Sequence, residues 1–185
     1  IRPLSAASDF YKAKVLHTKQ PASAIEHAKE AVARNTPEKH TMNKELAGLI
    51  LTKADFSNTP EDISAEEFNF VIQEMEREVK QSRLDVFSYL YLGSLYNNYG
   101  RIFGDTANFD KSEALLSSAI KLFPTRQQVY YILADAKIRN KKAGEGLKLL
   151  EQALALNLDS AESYWRLALG FKEAGDNKLA LEYAA

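Results

Sequence analysis

Apolar residues in the second half of the chain recur every three or four positions, which is the spacing of one face of an α-helix. Alternation of apolar and polar residues, as expected of a strand, is nearly absent. The spacing predicts helices in residues 86–100, 109–123, 127–139, 143–156 and 161–174, with the start of a sixth beyond them. Gly100 is suited to end the first helix in a left-handed conformation, and Pro124 cannot extend the second.

The apolar pattern also repeats with a fixed offset of 34 residues. The corresponding pairs are Ala119 with Ala153, Pro124 with Leu158, Tyr130 with Tyr164, Leu133-Ala134 with Leu167-Ala168, and Leu147 with Leu181. A period of this length is typical of stacked two-helix units, each of which buries one face against its neighbours. The predicted fold is all-α, a right-handed α-α superhelix of about five helical hairpins.

The first half of the chain is less regular but keeps a helical pattern. It predicts helices in residues 8–17, 22–33 and 41–54. Ser64 and Glu67 form a capping box before a further helix, whose acidic residues are interspersed with Arg77 and Lys80 and predict a solvated face. We expect divergent hairpins in residues 1–84 and a repeat region in residues 85–185, divided into repeats 85–126, 127–160 and a truncated 161–185.

Residues 101–107 have no counterpart in the later repeats and fall at a hairpin turn, where extra length costs little stability. Two interpretations are open. The segment is either a loop with additional residues and no binding role, or a contact loop for a partner in which Ile102 and Phe103 present apolar side chains.

The three C-terminal repeats resemble tetratricopeptide repeats. The last repeat carries the family pattern of aromatic, Leu followed by a small residue, aromatic, Gly and Ala at Tyr164, Leu167-Ala168, Phe171, Gly175 and Ala180. The middle repeat departs from it, with Lys137 in place of an aromatic residue and Lys141 in place of Gly. This departure predicts a looser corner between the two helices of that repeat.

A narrower resemblance concerns three short runs, in residues 91–101, 123–128 and 162–168. They are similar to the C-terminal repeat region of bacterial O-antigen ligase or polymerase-like membrane proteins. The resemblance implies that any glycan chemistry belongs to an absent N-terminal membrane portion. The missing initiating Met and the end of the chain within a helical pattern fit this expectation of an excised fragment.

The tetratricopeptide resemblance implies that the first helix of each hairpin lines a groove. In this register the groove positions are Phe87, Leu90, Ser94, Asn97, Gln128, Tyr131, Asp135, Ile138, Glu162, Trp165, Leu169 and Lys172. Their apolar members predict an anchor surface for an extended segment or an amphipathic helix, with Trp165 the strongest anchor. Packing or an additional capping helix is the alternative explanation. Few of these positions are basic, which disfavours the capture of a peptide carboxylate.

Composition removes several classes of function. The chain has 24 basic and 25 acidic residues and a net charge of −1, which disfavours nucleic acid as a partner. It lacks cysteine, and its longest apolar run, Leu46 to Leu51, is far shorter than the roughly 20 residues of a membrane span. The spacing of His17, His27 and His40 is not that of metal ligands. We expect no catalytic site, no cofactor, no metal and no membrane insertion for this fragment.

These features predict a non-catalytic interaction or scaffold module that binds a protein or peptide segment. We expect it to be attached to a membrane protein of surface-polysaccharide assembly, on a side of the membrane that the sequence leaves open. The alternatives are a free-standing, cytoplasmic scaffold unrelated to glycans, and a groove that binds a glycan or lipid carrier directly.

Overall fold

The computed structural model describes residues 21–33, 38–56 and 64–184, and all regular structure in these ranges is α-helical. The helices are α1 (Pro21–Ala33), α2 (Lys39–Phe56), α3 (Ala65–Gln81), α4 (Val86–Phe103), α5 (Ala107–Leu122), α6 (Gln127–Arg139), α7 (Ala143–Leu156), α8 (Ala161–Glu173) and α9 (Asn177–Ala184). The helix predicted in residues 8–17 lies outside the described residues. Within the described ranges, no helix is long and apolar enough to cross a membrane.

The chain forms two compact units, one ending at Leu95 and the other beginning at Tyr96, so that the boundary falls within α4. The sequence pattern instead begins its repeat region at residue 85, just before this helix. In the first unit the core is contributed mainly by α2 and α3, and its fully buried side chains include Leu46, Ile50, Phe68 and Met75.

The predicted capping box at the start of α3 is confirmed. Ser64 Oγ accepts a hydrogen bond from the Glu67 backbone N–H at 3.1 Å, and Glu67 Oε2 accepts one from the Ser64 backbone N–H at 3.3 Å. Two backbone donors that have no partner within the helix are thereby satisfied, and α3 begins where the sequence indicates.

The acidic face of α3 is not solvated throughout, and the prediction is wrong for two of its residues. Glu74 and Glu78 are each only 5% exposed. The polar side of α2 packs over them: Lys39 Nζ lies 3.0 Å from Glu74 Oε2, and Asn43 Nδ2 donates to Glu78 Oε1 at 2.6 Å. His40 Nδ1 contacts the second oxygen of Glu78. Periodicity alone did not reveal that the neighbouring helix supplies polar partners.

In the second unit, the predicted end of α4 at Gly100 is also wrong. The helix continues to Phe103, and Gly104, with a φ of +72°, adopts the left-handed conformation after it. Gly100 serves packing instead, because a Cβ at that position would lie 2.8 Å from Cζ of the Phe109 ring. The absence of a side chain lets α5 pack this ring directly against the backbone of α4.

The extension of α4 also changes the interpretation of residues 101–107. Arg101, Ile102 and Phe103 form the last part of the helix rather than a loop. Ile102 is 7% exposed, and the Phe103 ring is half-buried, with its centroid 4.6 Å from that of Tyr99. The expected contact loop is therefore not formed by these two side chains, because the additional residues lengthen the helix and bury its apolar positions.

The corner between α6 and α7 has the same backbone geometry as the corner between α8 and α9, contrary to the predicted looseness. Lys141 adopts a φ of +61°, and Lys142 N–H donates to Lys137 O at 2.8 Å. One repeat later, Gly175 has a φ of +88° and Asp176 N–H donates to Phe171 O at 2.9 Å. Both corners thus have the hydrogen bond of a Schellman turn.

We expect the substitution Lys141→Gly to stabilise the protein. A side chain in the left-handed region costs about 1–2 kcal/mol, part of which is offset by the greater freedom of glycine in the unfolded chain. The free energy of unfolding, measured by urea denaturation, should rise by about 0.5–1 kcal/mol. The converse change, Gly175→Ala, should lower it. A loss of stability in Lys141→Gly would show that the lysine side chain contributes more than its backbone strain costs.

A network of charged side chains around Glu113 closes the same corner. Glu113 accepts hydrogen bonds from Asn140 Nδ2 at 2.7 Å, Lys142 Nζ at 2.9 Å and Lys137 Nζ at 3.1 Å. Burial alone would raise the pKa of the Glu113 carboxyl, but these hydrogen bonds outweigh burial and lower the pKa from its usual 4.5. Lys137, which stands where the repeat pattern has an aromatic residue, thus forms ion pairs with Glu113 and Glu145.

The lowered pKa of Glu113 gives its contribution to stability a definite pH dependence. Because the pKa is lower in the folded protein, the contribution is complete above the unfolded value and is lost as pH falls through the folded value. We expect Glu113→Gln to reduce the free energy of unfolding by about 1–2 kcal/mol at pH 7. The difference from wild type should shrink steadily below pH 4.5. Exposed Glu151, changed to Gln as a control, should have little effect at either pH.

Candidate interaction surface

Four of the predicted groove residues lie on α8, and all four are exposed. Trp165 is 57% exposed and Leu169, one turn further on, is 37% exposed, while Glu162 and Lys172 flank them on the same side of the helix. Residues three and four apart share one face of a helix, so the four side chains form a continuous strip. We call Glu162, Trp165, Leu169 and Lys172 the α8 surface.

The remainder of α8 fixes the orientation of this surface. Ser160 caps the helix, and its Oγ accepts a hydrogen bond from the Ser163 backbone N–H at 3.3 Å. The opposite side of α8 buries Ser163, Leu167, Ala168, Gly170 and Phe171. Because these residues satisfy the packing of the hairpin, the exposed indole of Trp165 is not part of the core.

The predicted groove residues on α6 are buried or half-buried, unlike those on α8. Tyr131 is 3% exposed, and its hydroxyl lies 2.6 Å from Ser163 Oγ. Ile138 is half-buried and packs against α7 near Gly146. Helix α8 covers Tyr131, so the prediction that this side chain lines an open groove is wrong. Ile138 is covered in part by α7 of its own hairpin. Gln128 is half-buried.

A row of polar contacts connects three consecutive first helices within the second unit. Asn97 is 3% exposed, and its Nδ2 donates to Ile132 O and to Asp135 Oδ2, both at 2.9 Å. Arg139 Nε donates to Asp135 Oδ1 at 2.7 Å, and Arg139 Nη2 lies 3.8 Å from Glu173 Oε1. Asn97 and Asp135 therefore join the helices to one another, which the sequence register did not anticipate. The spacing of four residues between Asp135 and Arg139, which places them on one face of α6, was the only sequence signal for these contacts.

Three of the predicted groove positions, Phe87, Leu90 and Ser94, lie in the first unit. Phe87 is 49% exposed, with Lys44 Nζ 6.0 Å from the centre of its ring. Leu90 and Ser94 are half-buried. Phe87 is thus the most accessible of the predicted positions in this unit.

The α8 surface carries both signs of charge around an apolar centre. Arg166 Nη2 lies 3.1 Å from Glu162 Oε1, and the Arg166 guanidinium also lies 5.5 Å from the centre of the Tyr131 ring. Sequence reasoning missed this second contact because it depends on how two repeats stack. An apolar centre bordered by polar groups is typical of protein interfaces, so this surface is suited to contact with another molecule.

Acidic and histidine side chains do not converge on a metal site in the part of the chain that the structure describes. No group of three or more such side chains is placed there to hold a metal ion. His40 contacts Glu78, and His27 is half-buried on α1. His17 lies outside the described residues.

The fold is similar to that of solved helical-repeat proteins. TTC0263, a thermophilic TPR protein from Thermus thermophilus, matches with a TM-score of 0.69 and 16% sequence identity, over 96% of this chain and 87% of that chain. A MamA fragment from Desulfovibrio magneticus RS-1 matches with a TM-score of 0.63 and 13% identity, over 97% of this chain and 90% of that chain.

No protein-family model matches the sequence, and no curated protein matches it significantly. At these levels of identity, the structural matches establish the fold alone. The all-α helical-repeat fold that the 34-residue period predicts is therefore confirmed, and it is the fold found in tetratricopeptide-repeat proteins.

Proposed function

We propose that this chain is a non-catalytic protein-interaction module and that its α8 surface binds a segment of a partner protein. The exposed Trp165 carries the proposal. Its indole is 57% exposed although the hairpin around it is well packed, and Leu169 continues the apolar area by one turn. Large aromatic side chains that become desolvated on association contribute the largest share of binding energy at protein interfaces.

The composition of the α8 surface favours a protein over other classes of partner. Glu162 and Lys172 border Trp165 and Leu169 with opposite charges, which is the arrangement of an apolar centre with a polar rim. A nucleic-acid partner would require an excess of basic residues, whereas the chain has a net charge of −1. The similarity to solved tetratricopeptide-repeat proteins supports the proposal at the level of the fold.

Selection from a random peptide library on the immobilised protein tests this function. Trp165 is the only tryptophan in the chain, so its fluorescence reports directly on the proposed surface. We expect selected peptides to bind with dissociation constants of about 1–100 μM, equivalent to roughly −8 to −5.5 kcal/mol. Binding should shift the emission of Trp165 to shorter wavelength. Selected peptides that leave the emission unchanged, or a selection without enrichment, would contradict the proposal.

A glycan partner is the second candidate, favoured by the same exposed aromatic side chain. Titration with oligosaccharides distinguishes the two possibilities. If an oligosaccharide causes a saturable change in Trp165 emission and no selected peptide does, the partner is a glycan rather than a protein.

The link to surface-polysaccharide assembly is a finer proposal, and it rests on the similarity of the short runs in residues 91–101, 123–128 and 162–168. The comparisons lend it no support. The coding sequence upstream of Ile1 tests it directly. A series of about ten membrane spans there would support it, and a reading frame without such spans would leave the interaction module as a free-standing scaffold.

A further inference from the structure

His40 lies between two carboxylates of the first unit, and none of the three residues belongs to the α8 surface. It stands in the first turn of α2, and its side chain is 42% exposed. Its Nδ1 contacts Glu78 Oε2 of α3, and its Nε2 lies 3.6 Å from Oδ2 of Asp85, in the connection between α3 and α4. In the part of the chain that the structure describes, these are the charged groups within ion-pair distance of the ring. Each ring nitrogen therefore faces a carboxylate oxygen.

The carboxylate of Glu78 depends on His40 for a counter-ion. The Glu78 side chain is only 6% exposed. Its other side-chain partner among the described residues is the neutral amide of Asn43, whose Nδ2 donates to Oε1 at 2.6 Å. A carboxylate removed from water is costly unless it is paired with a positive charge or takes up a proton.

The neighbouring lysines of α2 are paired with other carboxylates. Lys39 Nζ lies 3.0 Å from Oε2 of Glu74, which also contacts Arg77. Lys44 Nζ lies 2.7 Å from Asp85 Oδ2. Neither lysine is within ion-pair distance of the carboxylate that the histidine contacts.

Asp85 is an ionised partner for the second ring nitrogen. Burial alone would raise the pKa of its carboxyl, but hydrogen bonds from Lys44 and Ser88 outweigh burial and lower the pKa from its usual 3.8. The carboxyl therefore carries a negative charge at neutral pH. A positive charge on the imidazole of His40 is favoured from this side as well.

The number of protons on the imidazole determines whether it can serve both carboxylates. A neutral ring has one N–H, so its other nitrogen presents a lone pair to a carboxylate oxygen. The imidazolium donates from both nitrogens and brings the missing positive charge. The positive end of the α2 dipole opposes a cation in the first turn, but hydrogen bonds between charged groups are the stronger interaction.

We propose that His40 is a pH-sensitive clasp that holds the start of α2 against α3. With two protons the ring joins Glu78 and Asp85. With one proton it leaves Glu78 buried without a counter-ion, so the first turns of α2 open more often. Histidine changes its charge between about pH 5 and pH 8, which is the range in which the clasp acts. Because the clasped form holds the additional proton, its contribution to stability is complete at the acidic end of this range and is lost as the pH rises.

Hydrogen exchange of the intact protein, resolved by mass spectrometry, measures how often α2 opens. After correction for the intrinsic pH dependence of exchange, we expect opening of the first two turns of α2 to rise about tenfold or more between about pH 5.5 and pH 8. His40→Gln should open these turns to a similar extent at both pH values. Glu78→Gln should also remove the pH dependence, because the buried charge is gone. His27→Gln, on α1, is the matched control and should keep the wild-type response.

Several outcomes would overturn the inference. Opening of α2 that is independent of pH in the wild type would show that the charge of the ring does not hold the helix. Stronger protection at the alkaline end would have the opposite sign to that expected. A full wild-type response in His40→Gln or in Glu78→Gln would assign the pH dependence to another group. A response abolished by His27→Gln alone would place the switch on α1.

Discussion

Gly146→Ala is expected to destabilise the protein by about 2 kcal/mol, even though alanine is the better helix former. A Cβ at Gly146 would lie 2.6 Å from Ile138 Cγ1 and 2.9 Å from the carbonyl oxygen of Ala134. The carbonyl belongs to the backbone of α6, so relief requires the two helices to separate. Thermal unfolding should show a fall in Tm of about 4–8 °C.

Gly144→Ala is the matched control, in the same helix and two residues away. A Cβ at Gly144 would meet no atom within 4 Å, and the residue is exposed. The same substitution should therefore raise the free energy of unfolding by about 0.5–1 kcal/mol. If Gly146→Ala were as stable as Gly144→Ala, the close approach of α6 and α7 would be disproved.

Trp165→Ala is expected to weaken the binding of library-selected peptides by about 30- to 1,000-fold, equivalent to roughly 2–4 kcal/mol. The substitution removes the largest exposed apolar side chain of the α8 surface. Because Trp165 is 57% exposed, the free energy of unfolding should change little, within about 0.5 kcal/mol. Isothermal titration calorimetry measures the affinity without relying on the missing fluorophore.

Leu122→Ala provides the control for this measurement. Leu122 is 44% exposed at the end of α5, away from the α8 surface, so its truncation also removes accessible apolar area. Peptide affinity should stay within about twofold of wild type. An equal loss of affinity in Trp165→Ala and Leu122→Ala would indicate nonspecific hydrophobic association rather than a defined surface.

The fold was predictable because its main signal is local and repeated. The 34-residue correspondence of Leu133 with Leu167 and of Ala119 with Ala153 requires only that each repeat bury the same positions, and all four side chains are buried. The capping box at Ser64 and Glu67 was predictable for the same reason, since all its hydrogen bonds lie within one turn.

The errors arise where a distant residue determines the outcome. Gly100 resembles a helix terminus in sequence, yet it lies within α4, where its missing side chain makes room for the ring of Phe109. Glu78 resembles a solvated acid, yet Asn43 and His40 of α2 bury it. Lys141 takes a conformation that favours glycine, at a corner where its neighbours Asn140 and Lys142 donate hydrogen bonds to the distant Glu113.

The candidate surface was only partly predictable for a related physical reason. Helical periodicity identifies which residues share a face but not whether the next hairpin covers that face. Tyr131 and Trp165 occupy equivalent positions, and only the stacking of α8 distinguishes a buried tyrosine from an exposed tryptophan. The sequence therefore could not separate Trp165, which is exposed, from Tyr131, which is buried, and the binding role of Trp165 stays a prediction.

Chemical-shift mapping with a library-selected peptide tests the central claim most directly, since the chain of 185 residues is within reach of amide NMR spectroscopy. Binding through the α8 surface predicts the largest amide shifts in α8, centred on Trp165 and Leu169, with small shifts in α5 and α7. Shifts concentrated in α5 or α7, with α8 unperturbed, would contradict the account.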